Sequence, residues 1–578
     1  MQLKKSLSWI FFLLSLAFAW ASSVPAAQTP LSAPSDILIV WGTITNSHGK
    51  PIKEVRVDLH VNGRKIELEE EIVSSNKGEY QAKLVLPRGT LPRAEVSLET
   101  SRPSYAPSGM ILLEHLVEEK TDEQGNRFYL ARQDIQLARA VTPAFWVATL
   151  VLTGVYVFIA FGLMHRTLAV FLGAALLLTI TYTVGTFNPD FIVLTYEDAV
   201  QAIDMNVILL LMAMMIIVGT LKRTGVFQWM AYKSFQLARG NVFALSGILM
   251  VVTAVISAFL DNVTTMLLII PVTIEIAETL KINPVTLFMP EVFASNVGGT
   301  ATLIGDPPNI AIGSYVKLSF LDFVQNLTLI CALCLVFTVV YFLYHYRNDY
   351  LQAKVGDVQE LLQHLREKYR ITDRTLLIQG GILLGVTILL FIFHEALHME
   401  LSIAAMFGAA VLLVVSRTDI VEILEHEIEW PTLIFFMMLF IVVAGAEETG
   451  LIQALADWMS SVSQGSLVLA ILMVLWVSAV AAAIVGNVPF TVTMLPVVAY
   501  LTTTTPGAEG GILWWSLALG ACLGGNGTMI GAAANVITVG MAERVGYPIS
   551  FLHYFKVVFV PTLITVLLSS AWLLFAAK

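Results

Sequence analysis

From residue 143 onward the chain alternates apolar segments with short polar interruptions. The segments lie at roughly 143–164, 167–184, 205–221, 242–260, 263–279, 286–314 and 320–345, then 375–394, 399–416, 431–446, 466–485, 488–504, 513–541 and 555–577. Most are long enough to cross a bilayer as helices. Polar, glycine-rich patches fall inside or between them at 257–265, 296–309, 486–496 and 520–535. Irregular backbone in hydrocarbon survives only inside protein or beside water, because each N–H and C=O there needs a partner. An ionisable side chain at that depth is costly and reads as functional. That logic singles out Asp261 and Asp306.

The patches repeat. Asp-Asn-Val-Thr-Thr-Met-Leu-Leu-Ile-Ile-Pro at 261–271 matches Gly-Asn-Val-Pro-Phe-Thr-Val-Thr-Met-Leu-Pro at 486–496, an offset of 225. Gly298, Thr302, Gly305 and Asn309 map to Gly524, Thr528, Gly531 and Asn535 at 226, and Thr224-Gly225 maps to Thr449-Gly450 at 225. Paired interrupted hydrophobic segments in corresponding halves point to a transporter binding site near the bilayer midplane. The expected membrane part is a first repeat over 143–345, a charged linker over 346–374 and a second, inverted repeat over 375–578. Each repeat holds a re-entrant hairpin (242–260 with 263–279 in the first) and a broken helix; the charges would equally allow both arms as full spans, and the polar Asp261-Asn262-Val263-Thr264 tip favours the hairpin.

Residues 36–140 read differently. The stretches 36–46, 54–61, 78–86 and 93–99 alternate apolar and polar residues, separated by turn signals such as Gly49-Lys50-Pro51 and Asn62-Gly63. They predict a small β-sandwich, and the run from Gly42 to Tyr80 resembles transthyretin-like modules of exported bacterial proteins. Before it, Lys4 and Lys5 precede a short apolar run and small residues up to Ala27, the pattern of a signal peptide over 1–27. The sandwich is therefore expected outside the cell membrane. Arg166, Lys222, Arg223, Lys233, Arg239, Lys281 and the linker's arginines and lysines fall on one side, cytoplasmic by the positive-inside rule. The two arguments agree. An amphipathic interfacial helix is expected near 227–237, with a counterpart at 451–462.

Composition supports this class. Apolar residues make up 57% and charged residues 13%, with a mean hydropathy of +0.76, values of an integral membrane protein. A net charge of −10 leaves no basic face for nucleic acid.

At Asp261-Asn262-Val263-Thr264, Gly298-Gly299 to Asn309 and Gly520 to Thr528, the chain resembles the ion-transporter superfamily. The nearest branch groups the melanosomal P protein with arsenite permeases and sodium/proton antiporters, sharing a citrate-transporter-like domain. The resemblance implies two inverted repeats and a transport domain that moves like an elevator against a scaffold. It implies that hairpin tips hold sodium and substrate, here at Asp261, Asn262, Val263 and Thr264, then Asn487, Val488 and Pro489. The broken helices would contribute Gly298, Gly299, Thr300 and Thr302, and Gly524, Gly525, Asn526 and Thr528. One departure stands out: where the P-protein pattern has an acid before the second Asn-Val-Pro, this chain has Gly486, and Ala532 stands opposite Asp306.

The chemistry of the site follows from these residue types. Half-helix N-termini favour anions, and freed carbonyls suit sodium. Asn262, Asn309, Asn487 and Asn535 offer donors and acceptors, and the glycines let backbone approach an ion. A carboxylate in a dehydrated pocket, Asp261 or Asp306, binds either proton or sodium, which is the physical basis of coupling. Sodium is placed at Asp261, Asn262 and Asn487. The expected function is secondary active transport of a small anion, or sodium/proton exchange, without a cofactor. Expected partners are the transported ion, membrane lipid and a second copy of the chain.

Other motifs compete. A channel on the same fold shares the site residues. His394-Glu395-Ala396-Leu397-His398 spells the zinc-peptidase H-E-x-x-H, which requires both histidines on one helical face. Glu291 is placed in the first turn of the broken helix, as a cap or a supporting group. Cys331 and Cys334 have C-x-x-C spacing but fall inside an apolar span, so they read as buried thiols.

Overall fold

A computed structural model of the chain describes residues 35–578 apart from 47–48, 50, 67–70, 114–116, 123–124, 354–362 and 364. The signal peptide expected over 1–27 and the middle of the 346–374 linker lie outside the described residues. The chain divides into two compact units, meeting at Ala140 and Val141.

The N-terminal unit holds two sheets around one apolar core that includes Leu38, Val40, Leu59, Leu84 and Leu98. Strand β1 (Ser35–Asn46) alternates buried and less buried residues along its length, as a strand with one covered face must. It pairs antiparallel with β4 (Glu79–Pro87) and parallel with β8 (Arg127–Arg132) and β9 (Ile135–Leu137), while β7 (Val117–Thr121) lies beyond β8. The second sheet runs β3 (Arg64–Lys65), β2 (Arg56–Val61), β5 (Val96–Ser101), β6 (Ile111–Leu112). Asn62 and Gly63, both at positive φ (50° and 75°), form the two-residue turn between β2 and β3, the geometry that Asn-Gly favours. Strands β7 to β9 were not expected from the sequence. They are short, and β8 and β9 gain their place by pairing with β1, far away in the chain.

The second unit is helical. Among the described residues, ten helices are long and apolar enough to cross a membrane. The first half runs α1 (Pro143–Ala160), α2 (Arg166–Tyr182), α3 (Met205–Lys222), α4 (Val226–Ala238), α5 (Val242–Phe259), α6 (Asn262–Thr279), α7 (Val285–Thr300), α8 (Pro307–Val316) and α9 (Phe320–His345). The second half repeats that order: α10 (Arg374–Phe393), α11 (Leu401–Ser416), α12 (Trp430–Glu448), α13 (Leu451–Ser463), α14 (Leu467–Val485), α15 (Asn487–Thr504), α16 (Ile512–Gly524), α17 (Ala533–Arg544) and α18 (Phe551–Ala576).

The correspondence extends to backbone conformation. Gly225 before α4 and Gly450 before α13 are left-handed, at φ 74° and 91°, and so are Arg239 and Gln464 after them, at 50° and 49°. The halves also trade partners: α2 packs on α12, and α11 on α3. Within each half the hairpin's first arm packs along the broken helix, α5 on α7 and α14 on α16. Bilayer lipid provides no hydrophobic drive between helices, so close approach of small residues has to hold them. A Cβ on Gly298 would run into the Ala254 backbone, and one on Gly524 into Ala479.

Candidate functional site

Two breaks and two hairpin tips build the site. In the first half, α7 stops at Thr300 and α8 starts at Asp306-Pro307-Pro308, prolines being compatible with the first turn of a helix. Between them the chain folds back until the Gly299 and Gly305 backbones meet with no room for a Cβ. The carbonyls orphaned by the break find side-chain donors. Asn309 Nδ2 donates to Thr300 O at 3.0 Å and Thr302 O at 2.8 Å. The second half does the same: Asn535 Nδ2 donates to Gly525 O at 2.9 Å and Thr528 O at 2.8 Å. The Thr302 hydroxyl ties the first break to Ala258 O, and the Thr528 hydroxyl ties the second to Ala483 O.

The centre is a buried carboxylate shared by both halves. Asn262 Nδ2, at the first hairpin tip, donates to Asp306 Oδ1 at 3.3 Å. Asn487 Nδ2, at the second tip, donates to both Asp306 oxygens at 3.2 Å. Asn262 also donates to Asn296 Oδ1 at 3.1 Å. Asn296 in turn donates to Asn526 Oδ1 at 2.8 Å and Asn535 Oδ1 at 2.9 Å. Cys522, which stands in the second half where Asn296 stands in the first, donates its thiol to Asn309 Oδ1 at 3.6 Å. Asp261 caps α6, accepting from Thr264 N at 2.8 Å.

A narrow cavity of about 40 Å³ lies against this centre. A water needs roughly 10–15 Å³ of such space, so the cavity admits a small ion with a few waters. Asp261, Asn262, Val263, Asp306, Asn487 and Val488 line it. The N-termini of four helices, at Asn262, Pro307, Asn487 and Ala533, reach its wall. Its charged groups are Asp261, Asp306 and Glu429 against one guanidinium, Arg166. Three carboxylates and one guanidinium thus share the wall with the positive ends of four helices.

Of the residues expected at the site, these six face the cavity. Gly298 and Gly524 instead serve helix packing, and Gly299 and Gly525 let the chain double back. Thr302, Thr528, Asn309 and Asn535 brace the breaks. Thr300 donates to Asn296 O at 2.7 Å, Thr264 supplies the capping N–H, and Asn526 accepts from Asn296. Pro489 O accepts from the Tyr156 hydroxyl of α1 at 3.1 Å, and that hydroxyl also meets Thr493.

Four groups were missed. Asn296 lies inside the quoted motif, but its partner at the repeat offset is Cys522, so a search for matching polar pairs passes over it. Arg166 and Glu429 look like ordinary charges at span ends. One signal existed for Glu429: it sits 225 residues after Asp204, and each precedes a helix. Asp204 caps α3 through Asn206 N at 3.0 Å and Val207 N at 3.2 Å. Glu429 makes no cap bond to α12, forgoing about 1 kcal/mol, and instead accepts from the Thr432 hydroxyl at 3.1 Å. Tyr156 left no signal in an apolar span.

The competing motifs resolve in the structure. Residues 394–398 form a turn beyond α10, so the zinc signature's shared helical face is absent. Met399 N bonds His394 O at 3.0 Å and His398 N bonds Glu395 O at 3.1 Å, with His398 left-handed at φ 48°. That is a Schellman termination. Glu291 lies beyond the first turn of α7, fully buried, and both its oxygens accept from the Thr273 hydroxyl, at 3.1 and 3.0 Å. Cys331 and Cys334 are free, buried thiols on α9.

Comparison with known proteins follows the same lines. The profile of a family described as Citrate transporter matches residues 156–520, more than half the chain. An uncharacterised transporter of Mycobacterium bovis is 38% identical over 433 residues, covering 74% of this chain and 97% of that protein. The 46 kDa membrane protein of Mycobacterium leprae is 37% identical over 430 residues, covering 74% and 97%. The human P protein is 35% identical over 505 residues, covering 74% of this chain and 60% of its own length. A crystal structure of 3-chlorocatechol 1,2-dioxygenase from Rhodococcus opacus overlaps 19% of this chain and 62% of that one, at 12% identity and a TM-score of 0.14, too little to bear on the fold. The chain is a multi-pass membrane protein and belongs to the citrate-transporter family of membrane transporters.

Proposed function

We propose that this protein is a secondary active transporter that moves a small ion by alternating access, coupled to sodium or protons. The observation that carries the reading is Asp306, a buried carboxylate held at once by the hairpin tips of both halves and facing a cavity of ion size. Asp261 and Asp306 are the ligands for the coupling cation, with Asn262 and Asn487 orienting the second carboxylate. Each sodium or proton bound cancels one of their two charges, so the site can move through hydrocarbon at lower cost.

Two tips reaching one carboxylate support inverted halves with re-entrant hairpins, since tips entering from opposite faces meet at mid-depth. The pairing of α2 with α12 and α3 with α11 supports a scaffold against which the tips and breaks move as an elevator. The cavity extends from the tips toward Arg166 and Glu429. With the basic side cytoplasmic, we place the protein in the cell's inner membrane, Arg166 and Glu429 on the inner side of the site and the N-terminal unit outside.

The test is uptake into proteoliposomes, with sodium and proton gradients imposed separately over a panel of citrate, other carboxylates, arsenite and sodium itself. Accumulation against a gradient that depends on one cation supports the carrier. Flux that only dissipates gradients identifies a channel, and no flux sinks both.

A further inference from the structure

We infer that Arg166 is the cavity's internal counter-ion and holds the carrier in place while no cation is loaded. The inference rests on the cation-coupled reading above and says how such a carrier avoids slipping empty.

The guanidinium opens α2 and lines the cavity with Asp261, Asp306 and Glu429, yet among the described residues it closes no ion pair. Its Nη2 lies 3.4 Å from Thr432 Oγ1, and its Cζ lies 5.3 Å from the centre of the Phe435 ring. The Thr432 hydroxyl donates to Glu429 Oε2 at 3.1 Å, so it stands between the two charges. Thr167 Oγ1 donates to Pro431 O at 2.9 Å, pinning the start of α2 to the start of α12. Arg166, Glu429, Thr432 and Phe435 thus share one packed pair of helices. Asp261 and Asp306 sit on the hairpin tip and the helix break.

Opposite charges in a poorly hydrated cavity interact far more strongly than in water. With no cation bound, two carboxylates on the moving part share the cavity with a fixed guanidinium, and their attraction opposes reorientation. Each bound cation cancels one carboxylate charge and repels the guanidinium, which releases the site. Arg166 and the coupling cation therefore compete for the same carboxylates.

The test compares purified wild type, Arg166→Gln, Arg166→Lys and Thr432→Val in liposomes. Cation binding is read with radioactive sodium, and leak with a trapped pH dye under an imposed gradient. Arg166→Gln should tighten half-saturation for sodium by about tenfold, the scale of one removed unit charge in a partly hydrated site. It should also raise the leak, and Arg166→Lys should restore both. Thr432→Val removes the spacer, lets Arg166 close on Glu429, and should shift half-saturation the same way. It serves as the deciding variant where Arg166→Gln does not fold. A structural role would lower the melting temperature and the maximal rate with half-saturation unchanged. Folded variants that bind sodium as wild type does overturn the inference alone. Wild type with neither a sodium nor a proton response overturns it together with the function it rests on.

Discussion

Asn487 holds its side-chain amide 3.2 Å from both carboxylate oxygens of Asp306, across 181 residues of chain. The two residues come from different halves, so neither half completes the site alone. Asn262 approaches Asp306 from its own half at 3.3 Å. A carboxylate taking three N–H contacts is oriented but keeps lone pairs for a cation.

Asp306→Asn keeps the shape and removes the charge, and its own amide would face the donors of Asn262 and Asn487. Cation-driven uptake in proteoliposomes should fall about a hundredfold, equivalent to about 3 kcal/mol, with the melting temperature nearly unchanged. Uptake within a few fold of wild type would take Asp306 out of the mechanism.

Asn262→Ala and Asn487→Ala should not act independently, because both act through Asp306. A double-mutant cycle on the half-saturation for the coupling cation should give an interaction of roughly 0.5–3 kcal/mol. Additive effects would show that the two tips do not share the bound ion.

Gly298→Ala and Gly524→Ala should each destabilise by about 1–3 kcal/mol through overpacking, since the added methyl meets Ala254 or Ala479. Gly381→Ala and Gly385→Ala, where nothing lies within 4 Å, should hold or raise the melting temperature, as a helical alanine replaces a glycine. Thermal unfolding in detergent followed by size-exclusion chromatography ranks the four.

His398→Gly should raise stability by roughly 0.5–1 kcal/mol, because glycine takes the left-handed conformation without the Cβ conflict. Neither this change nor His394→Ala should alter metal content measured by mass spectrometry. Stoichiometric zinc lost on either substitution would restore the metal reading of that segment.

The spans, the pauses in them and the repetition were legible in the chain. Lipid imposes a length and an apolar composition on each crossing, and an interruption there must be repaid by a specific partner, so both leave marks in the residues themselves. The offset of 225 carried Asn262 to Asn487 and Thr302 to Thr528 without any coordinates. Where the copies diverge the marks fail, as at Asn296 and Cys522, and residues of one kind separated into different roles. Asn487 faces the cavity while Asn535 braces a break; Gly299 frees a turn while Gly298 admits a neighbouring helix.

Sequence alone thus determined which segments are apolar enough to cross and where their helices are interrupted, because those requirements act on each segment locally. Only the tertiary structure decided that Arg166 and Glu429, at the starts of α2 and α12, turn inward to the same cavity as Asp261 and Asp306. Such a meeting depends on how distant helices pack, and a charge at a helix end has the same local pattern whether it faces water, lipid headgroups or an ion.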